Sequence, residues 1–181
     1  MFGGGAVFWQ IDEHGKIRTG KIMGYDKTSG KRIKKPYNQF NWAHNVITPE
    51  SDYNLSQCLF GLHLLPTSNC PVIIVESEKT AMLIDMVIPD VVVLASGGSN
   101  NLSAAKCKVL IGRKVVLIPD NSQFEKWTDI AEKILKPICK SVHVSAIMEQ
   151  NGIESGADIG DLIVEAITTG GDINGIFANL F

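Results

Sequence analysis

The sequence predicts an α/β protein: a parallel sheet with helices on both faces, preceded by a small segment rich in β-hairpins. Three observations carry this expectation. From Pro71 onward, short apolar runs (VIIVE, VVVLA, KVVLIP, VHVSAI) alternate with helix-like stretches. The first three of those runs are almost continuously apolar, as in strands covered on both faces, where an antiparallel strand would alternate with polar residues. Residues 6 to 47 have a different rhythm, with AVFWQID and KIRTGKIMGYD separated by Glu13-His14-Gly15 and followed by Thr28-Ser29-Gly30, so glycine-bearing turns close hairpins there.

In chain order, Gly3 to Gly5 open the sequence as a fraying start, and the hairpins follow. Leu55 to Leu65 (LSQCLFGLHLL) reads as a short apolar helix with Ser51 or Asp52 as cap and Pro66 beyond its end. VIIVE is a strand, Lys79 to Ile88 a helix stopped by Pro89, VVVLA a strand and SGGSNN a turn. Leu102 to Ile111 is a helix and KVVLIP a strand. Phe124 to Cys139 is a helix with Trp127, Ile130, Ala131, Ile134, Leu135 and Ile138 on one face, which makes Trp127 a core residue before a base-stacking one. VHVSAI is the fourth strand and Asp161 to Thr168 the last helix. The expected domains are a basic β-rich segment at 1–50, a helical connector at 51–70 and the α/β domain at 71–181.

Several classes are disfavoured. With 181 residues, 45% hydrophobic and 20% charged, the chain can bury a real core, so disorder is not its main state. No apolar run approaches the roughly 18 residues that cross a bilayer, and the N-terminus lacks the pattern of a secretory signal, which points to a cytoplasmic protein without membrane partners. Cys58, Cys70, Cys107 and Cys139 form no C-x-x-C pair, and no histidine stands at ligand spacing, so no zinc is expected in this chain. Neither G-x-G-x-x-G nor a P-loop is present.

The formal net charge of −2 conceals an uneven distribution. Between Lys16 and Lys35 there are eight basic residues (Lys16, Arg18, Lys21, Lys27, Lys31, Arg32, Lys34, Lys35) against one acid, Asp26. With Tyr25, Tyr37, Phe40 and Trp42 nearby, the segment suits phosphate contact with base stacking, and thus DNA or RNA, single-stranded in particular. A solvated strand edge guarded by lysines accounts for the same pattern.

Ligands of open parallel sheets collect outside the carboxyl ends of the strands. Three successive strands end there in distinctive chemistry: Glu76 after VIIV, Ser96-Gly97-Gly98 after VVVLA, and Asp120 after VVLIP. Two carboxylates at one rim could hold Mg²⁺, with Mn²⁺ as substitute, and so orient a phosphate. Without a metal they repel, which raises a pKa and leaves a general acid or base. Gly97 and Gly98 permit close backbone approach, and Lys79 is a candidate phosphate contact. Glu78 is expected to face solvent at the helix start, where a carboxylate suits the dipole.

These residues resemble the Toprim domain shared by topoisomerases, bacterial-type primases and related nucleases. IVESEKTA is similar to the glutamate motif of primase-like members, LASGGSNNL resembles the following turn, and VVLIPDNSQFEKW stands in the place of the D-x-D motif, the whole likeness covering about residues 71 to 165. The preceding segment, with NWAH and CLFGLHLL, resembles the region ahead of Toprim in primase-like proteins of Bacteroides-type mobile elements, relatives that often carry a zinc ribbon further upstream. On that view this chain is a fragment or a shortened version. The resemblance implies a Toprim-like, Rossmann-type sheet, with Glu76 in the catalytic or metal-associated role and Asp120 as the first aspartate of D-x-D. Ser122 stands where the second aspartate is expected. Asp158 and Asp161 match a further acidic pair of Toprim-like primases, which makes Asp161 a candidate metal ligand or, more simply, a helix cap.

Two function classes follow. One is a metal-dependent enzyme of nucleic-acid phosphoryl transfer, of primase or nuclease type. The other is a Toprim-like module that binds DNA, RNA or a replication or mobilisation protein without catalysis, which the missing second aspartate favours. A small-ligand protein of the doubly wound type is a third.

Overall fold

The N-terminal strands form because their sequence alternates around a turn that its own side chains hold. In a computed structural model describing residues 5–47, 54–150, 152–178 and 180, β1 (Ala6–Ile11) and β2 (Ile17–Met23) pair antiparallel. Asp12 fixes the connection: its carboxylate accepts from the His14 and Lys16 backbone N–H groups at 2.9 and 2.8 Å and from Arg18 Nε at 2.7 Å. A second turn is held by Asp26, which accepts from the backbone of Thr28 and Ser29. β3 (Phe40–Trp42) then pairs with β2, completing an antiparallel sheet in the order β1-β2-β3. Phe8, Gln10, Thr19 and Met23 are buried in this unit, which spans residues 1–63.

Two expectations for this part need correction. The chain turns into a short helix, α1 (Ala43–Ile47), where strand was expected up to residue 47. The helix expected over Leu55 to Leu65 is absent; residues 54–59 are irregular and only Leu62–Leu64 forms a single 3₁₀ turn. Leu59, Leu62 and Leu65 are the buried leucines, and they lie three apart, the spacing that a 3₁₀ turn brings onto one side. The proposed cap at Ser51 or Asp52, and Gly3 and Gly4, lie outside the described residues.

The second unit, residues 64–181, carries the predicted parallel sheet. Its strands are β4 (Val72–Val75), β5 (Val92–Ala95), β6 (Lys114–Leu117) and β7 (Ser141–Val144), ordered β5-β4-β6-β7 and all parallel. Every residue of β4 is fully buried, as its unbroken apolar sequence requires. The helices are α2 (Glu78–Val87), α3 (Ala104–Cys107), α4 (Phe124–Ile130), α5 (Ile159–Thr169) and α6 (Ile173–Phe177). α2 packs with α5, whereas α3 packs with the continuation of α4, so the two groups cover opposite faces.

Two helices depart from their expected form. The Leu102 to Ile111 stretch is α for only four residues and then tightens to 3₁₀ at Lys108–Leu110. α4 passes into a π-helical turn at Ala131–Leu135, where the Lys136 N–H reaches back to the Ala131 carbonyl. Trp127, Ala131 and Leu135 are buried there, which places Trp127 in the core. The four cysteines are free thiols, and among the described residues no helix is long and apolar enough to cross a membrane.

Candidate functional site

The order of the second sheet decides where its ligand site should lie. From β4 the chain passes through α2 to β5 on one side, then crosses back through α3 to β6 on the other, so β4 and β6 are neighbours whose following helices leave to opposite faces. Such a reversal opens a crevice at the carboxyl ends of the two strands. Glu76 follows β4 directly and Asp120 follows β6 after Ile118 and Pro119.

The two carboxylates belong to one electrostatic unit. Burial pushes the Glu76 carboxyl above its ordinary range; the Lys126 ammonium and a hydrogen bond from the Asp120 backbone N–H pull it back, and Asp158 adds to the rise. Asp120 is displaced much further: burial first, then the charges of Glu76, Asp158 and Asp161, push it up to about 8. Glu76 Oε1 is buried and has no hydrogen-bond partner among the described residues. A buried carboxylate oxygen left open is costly unless a ligand or ion completes it.

The turn after β5 closes the rim. Its backbone is tied to β4, with the Ser96 N–H donating to the Val75 carbonyl and the Gly97 N–H to the Glu76 carbonyl, at 3.0 and 2.9 Å. Gly97 has φ +79°, and a Cβ there would stand 3.1 Å from Glu78 Oε1. Glu78 is therefore a correction: it is buried, 3% exposed, in the first turn of α2. The missing side chain of Gly97 leaves room for its carboxylate. Gly98 follows at φ +147°.

Sequence reasoning missed Lys126. From α4 its ammonium donates to Ser99 Oγ at 2.9 Å while its charge reaches Glu76, so one cation links the turn after β5 to the end of β4. A polar residue on a predicted helix gives no local sign of such a long-range role.

The later acids are arranged differently from a metal cluster. Asp158 is the N-cap of α5: its Oδ1 accepts from the Asp161 N–H at 3.1 Å, and the Asp161 carboxylate accepts in return from the Asp158 N–H at 3.2 Å. Asp158 Oδ2 also accepts from Thr80 Oγ1 at 2.8 Å, which joins α5 to α2. Asp161 is exposed, and the cap proper is Asp158. Ser122 sits at φ +71°, its N–H donating to Glu149 Oε1 at 2.9 Å and its hydroxyl to Asn121 Oδ1 at 2.9 Å.

Among the described residues no three acidic, histidine or cysteine side chains are grouped to hold a metal ion. What is present, the open oxygen of Glu76 beside Asp120, fits a Mg²⁺ that takes one or two carboxylates and completes its shell with water and substrate phosphate. It does not fit a standing all-protein cage. Lys79 is half-buried in the first turn of α2. Lys31, Arg32, Lys34 and Lys35 are exposed in the N-terminal unit, where Arg32 is also held by Asn38 and lies over the Phe40 ring at 5.7 Å.

The fold, a four-stranded parallel sheet flanked by helices beside an antiparallel N-terminal sheet, is similar to that of a primase domain. The chain aligns over 98% of its length with the crystal structure of the RNA polymerase domain of Mycobacterium tuberculosis primase DnaG, at a TM-score of 0.58 and 12% identity, covering 56% of that chain. It thus spans little more than half of that neighbour, and at such identity the likeness shows the fold. The chain belongs to the family DUF6371, a domain of unknown function, whose model matches residues 1–121. No curated protein matches it.

Proposed function

We propose that this protein acts on nucleic acid, with Glu76 and Asp120 as the centre of Mg²⁺-dependent phosphoryl transfer of primase type, in the replication or mobilisation of a mobile element. The observation that carries this reading is the placement of two partly buried carboxylates, one with an open oxygen, at the ends of adjacent strands where the sheet reverses direction. Glu76 and Asp120 would hold the ion, which would polarise a phosphate oxygen. Lys126 balances Glu76 and offers a positive charge to a phosphate at the same rim. Asp120, raised first by burial and then by the charges of its acidic neighbours, would give up its proton to an ion that it holds. The mobile-element setting rests on the resemblance of the N-terminal segment.

A second reading, a module that binds nucleic acid or a replication partner without catalysis, is favoured by Ser122. An uncharged side chain, engaged with Asn121, stands where a second carboxylate would be needed for a stronger ion site. Calorimetric titration of Mg²⁺ and Mn²⁺ in the presence of a single-stranded oligonucleotide separates the two. The first reading expects binding in the wild type that Glu76→Gln and Asp120→Asn each abolish. If the wild type shows no binding that these changes remove, the enzymatic reading fails and the module remains.

A further inference from the structure

We propose that the outward face of the N-terminal sheet is a stacking platform for the bases of single-stranded nucleic acid, centred on Trp9. The inference rests on the nucleic-acid reading above and assigns it a surface. Strand alternation gives the β1-β2-β3 sheet two faces. Phe8, Gln10, Thr19 and Met23 are buried on one; Val7 and Trp9, with Ile22 opposite Val7 in the register, point to the other. Trp9 is 39% exposed and Val7 40%, and Ile17 at the start of β2 is 63% exposed.

The platform is built. Gly20 is the register partner of Trp9, and a Cβ there would lie 2.8 Å from Trp9 Cε3 and 2.9 Å from Val7 Cγ1. The indole therefore lies across bare backbone, supported from below. The aromatics that the sequence singled out are committed within the unit: Tyr25 meets Phe8 edge-on, Phe40 meets Trp42 edge-on, and Trp42 stacks on His44. Of the four, Tyr37 alone is exposed.

Charge decides the occupant. Between residues 6 and 47 there are eight basic and three acidic residues, and of the acids Asp12 is bound by Arg18 while Asp26 is bound by its own turn. Lys16, Lys27, Lys31, Lys34 and Lys35 are exposed. A planar, apolar platform in a cationic unit matches the alternation of base and phosphate in a single strand. An exposed indole can stack on any base, so the expected preference is for single over double strand and not for sequence.

The test uses the full chain, a fluorescein-labelled oligothymidylate and fluorescence anisotropy at low salt. Trp9→Gln should weaken binding by about tenfold or more, Trp9→Phe by much less, and Gly20→Ala, which displaces the indole, should fall between them. Circular dichroism checks that each variant folds, and quenching of wild-type tryptophan emission by the oligonucleotide, reduced in Trp9→Phe, reads the contact should Trp9→Gln not fold. Unchanged binding in folded Trp9→Gln, or no quenching, overturns the platform but leaves the nucleic-acid reading if Lys31→Ala, Lys34→Ala or Asp120→Asn alters affinity. No binding by the wild type overturns both. Loss of a dimer in Trp9→Gln, with oligonucleotide affinity intact, assigns the face to a second copy and overturns the proposal.

Discussion

Replacing Asp120 by asparagine should stabilise the fold at alkaline pH and leave it nearly unchanged in acid. Asp120 is raised from 3.8 to about 8, a shift of about four units at ~1.36 kcal/mol each, so ~5 to 6 kcal/mol is the limiting cost of ionising it in the folded state. The side chain is only half-buried, and solvent relaxation reduces this to ~2 to 3 kcal/mol. Below pH ~4 both folded and unfolded chains hold the proton; between pH ~4 and ~8 only the folded chain does. Wild-type stability therefore falls as pH rises across that window and levels off above it. Asparagine keeps the shape and never ionises. Urea unfolding followed by circular dichroism, at intervals from pH ~4 to ~9, should give a difference near zero at the acid end that grows to ~2 to 3 kcal/mol in favour of Asp120→Asn. A difference of constant size across the range, or a less stable variant at pH ~9, would refute the reasoning, because neither can come from a carboxylate held neutral by its surroundings.

Two further outcomes follow from the same rim. Lys126→Met removes the cation that offsets Glu76, so the Glu76 carboxyl, followed by isotope-edited infrared titration, should titrate higher than in the wild type. An unmoved titration would detach Lys126 from the site. Gly97→Ala should cost about 1 to 3 kcal/mol in thermal or urea unfolding, because the residue holds φ +79° and its Cβ would press on Glu78 at 3.1 Å; a neutral result would show that the turn is free to adjust.

The parallel sheet was legible because its first three strands are short and apolar, and two of them lead into a carboxylate. VIIV ends in Glu76 and VVLIP in Asp120, so pattern and chemistry changed at one place. Glu78 was misread because a carboxylate in the first turn of a helix ordinarily faces water, and only the approach of Gly97 from the next turn reveals its burial. Trp9 was not singled out because Ala-Val-Phe-Trp-Gln-Ile is apolar on both faces, so alternation could not say whether Phe8 or Trp9 points inward. From its place at the expected start of the last helix Asp161 reads as a candidate ligand or cap, whereas the N-cap is Asp158, three residues earlier, with Asp161 the returning half of its capping box, a boundary set by hydrogen bonds rather than by apolar spacing.

The charges at the rim also bear on the order in which ligands would arrive. With Asp120 protonated at neutral pH and Glu76 offset by Lys126, the pair offers a lone divalent ion less than its formal two negative charges. An ion arriving alone must release the Asp120 proton and gains no third carboxylate, since Ser122 is neutral and bonded to Asn121. An ion arriving with a phosphate brings its own anionic oxygens, and Lys126 then has a second anion to face. On this balance a metal would belong to the proposed complex with nucleic acid more than to the protein, and each should tighten the other by the same factor. A module that never binds the ion would show no such coupling. Reciprocity of the two affinities is therefore the property that distinguishes them.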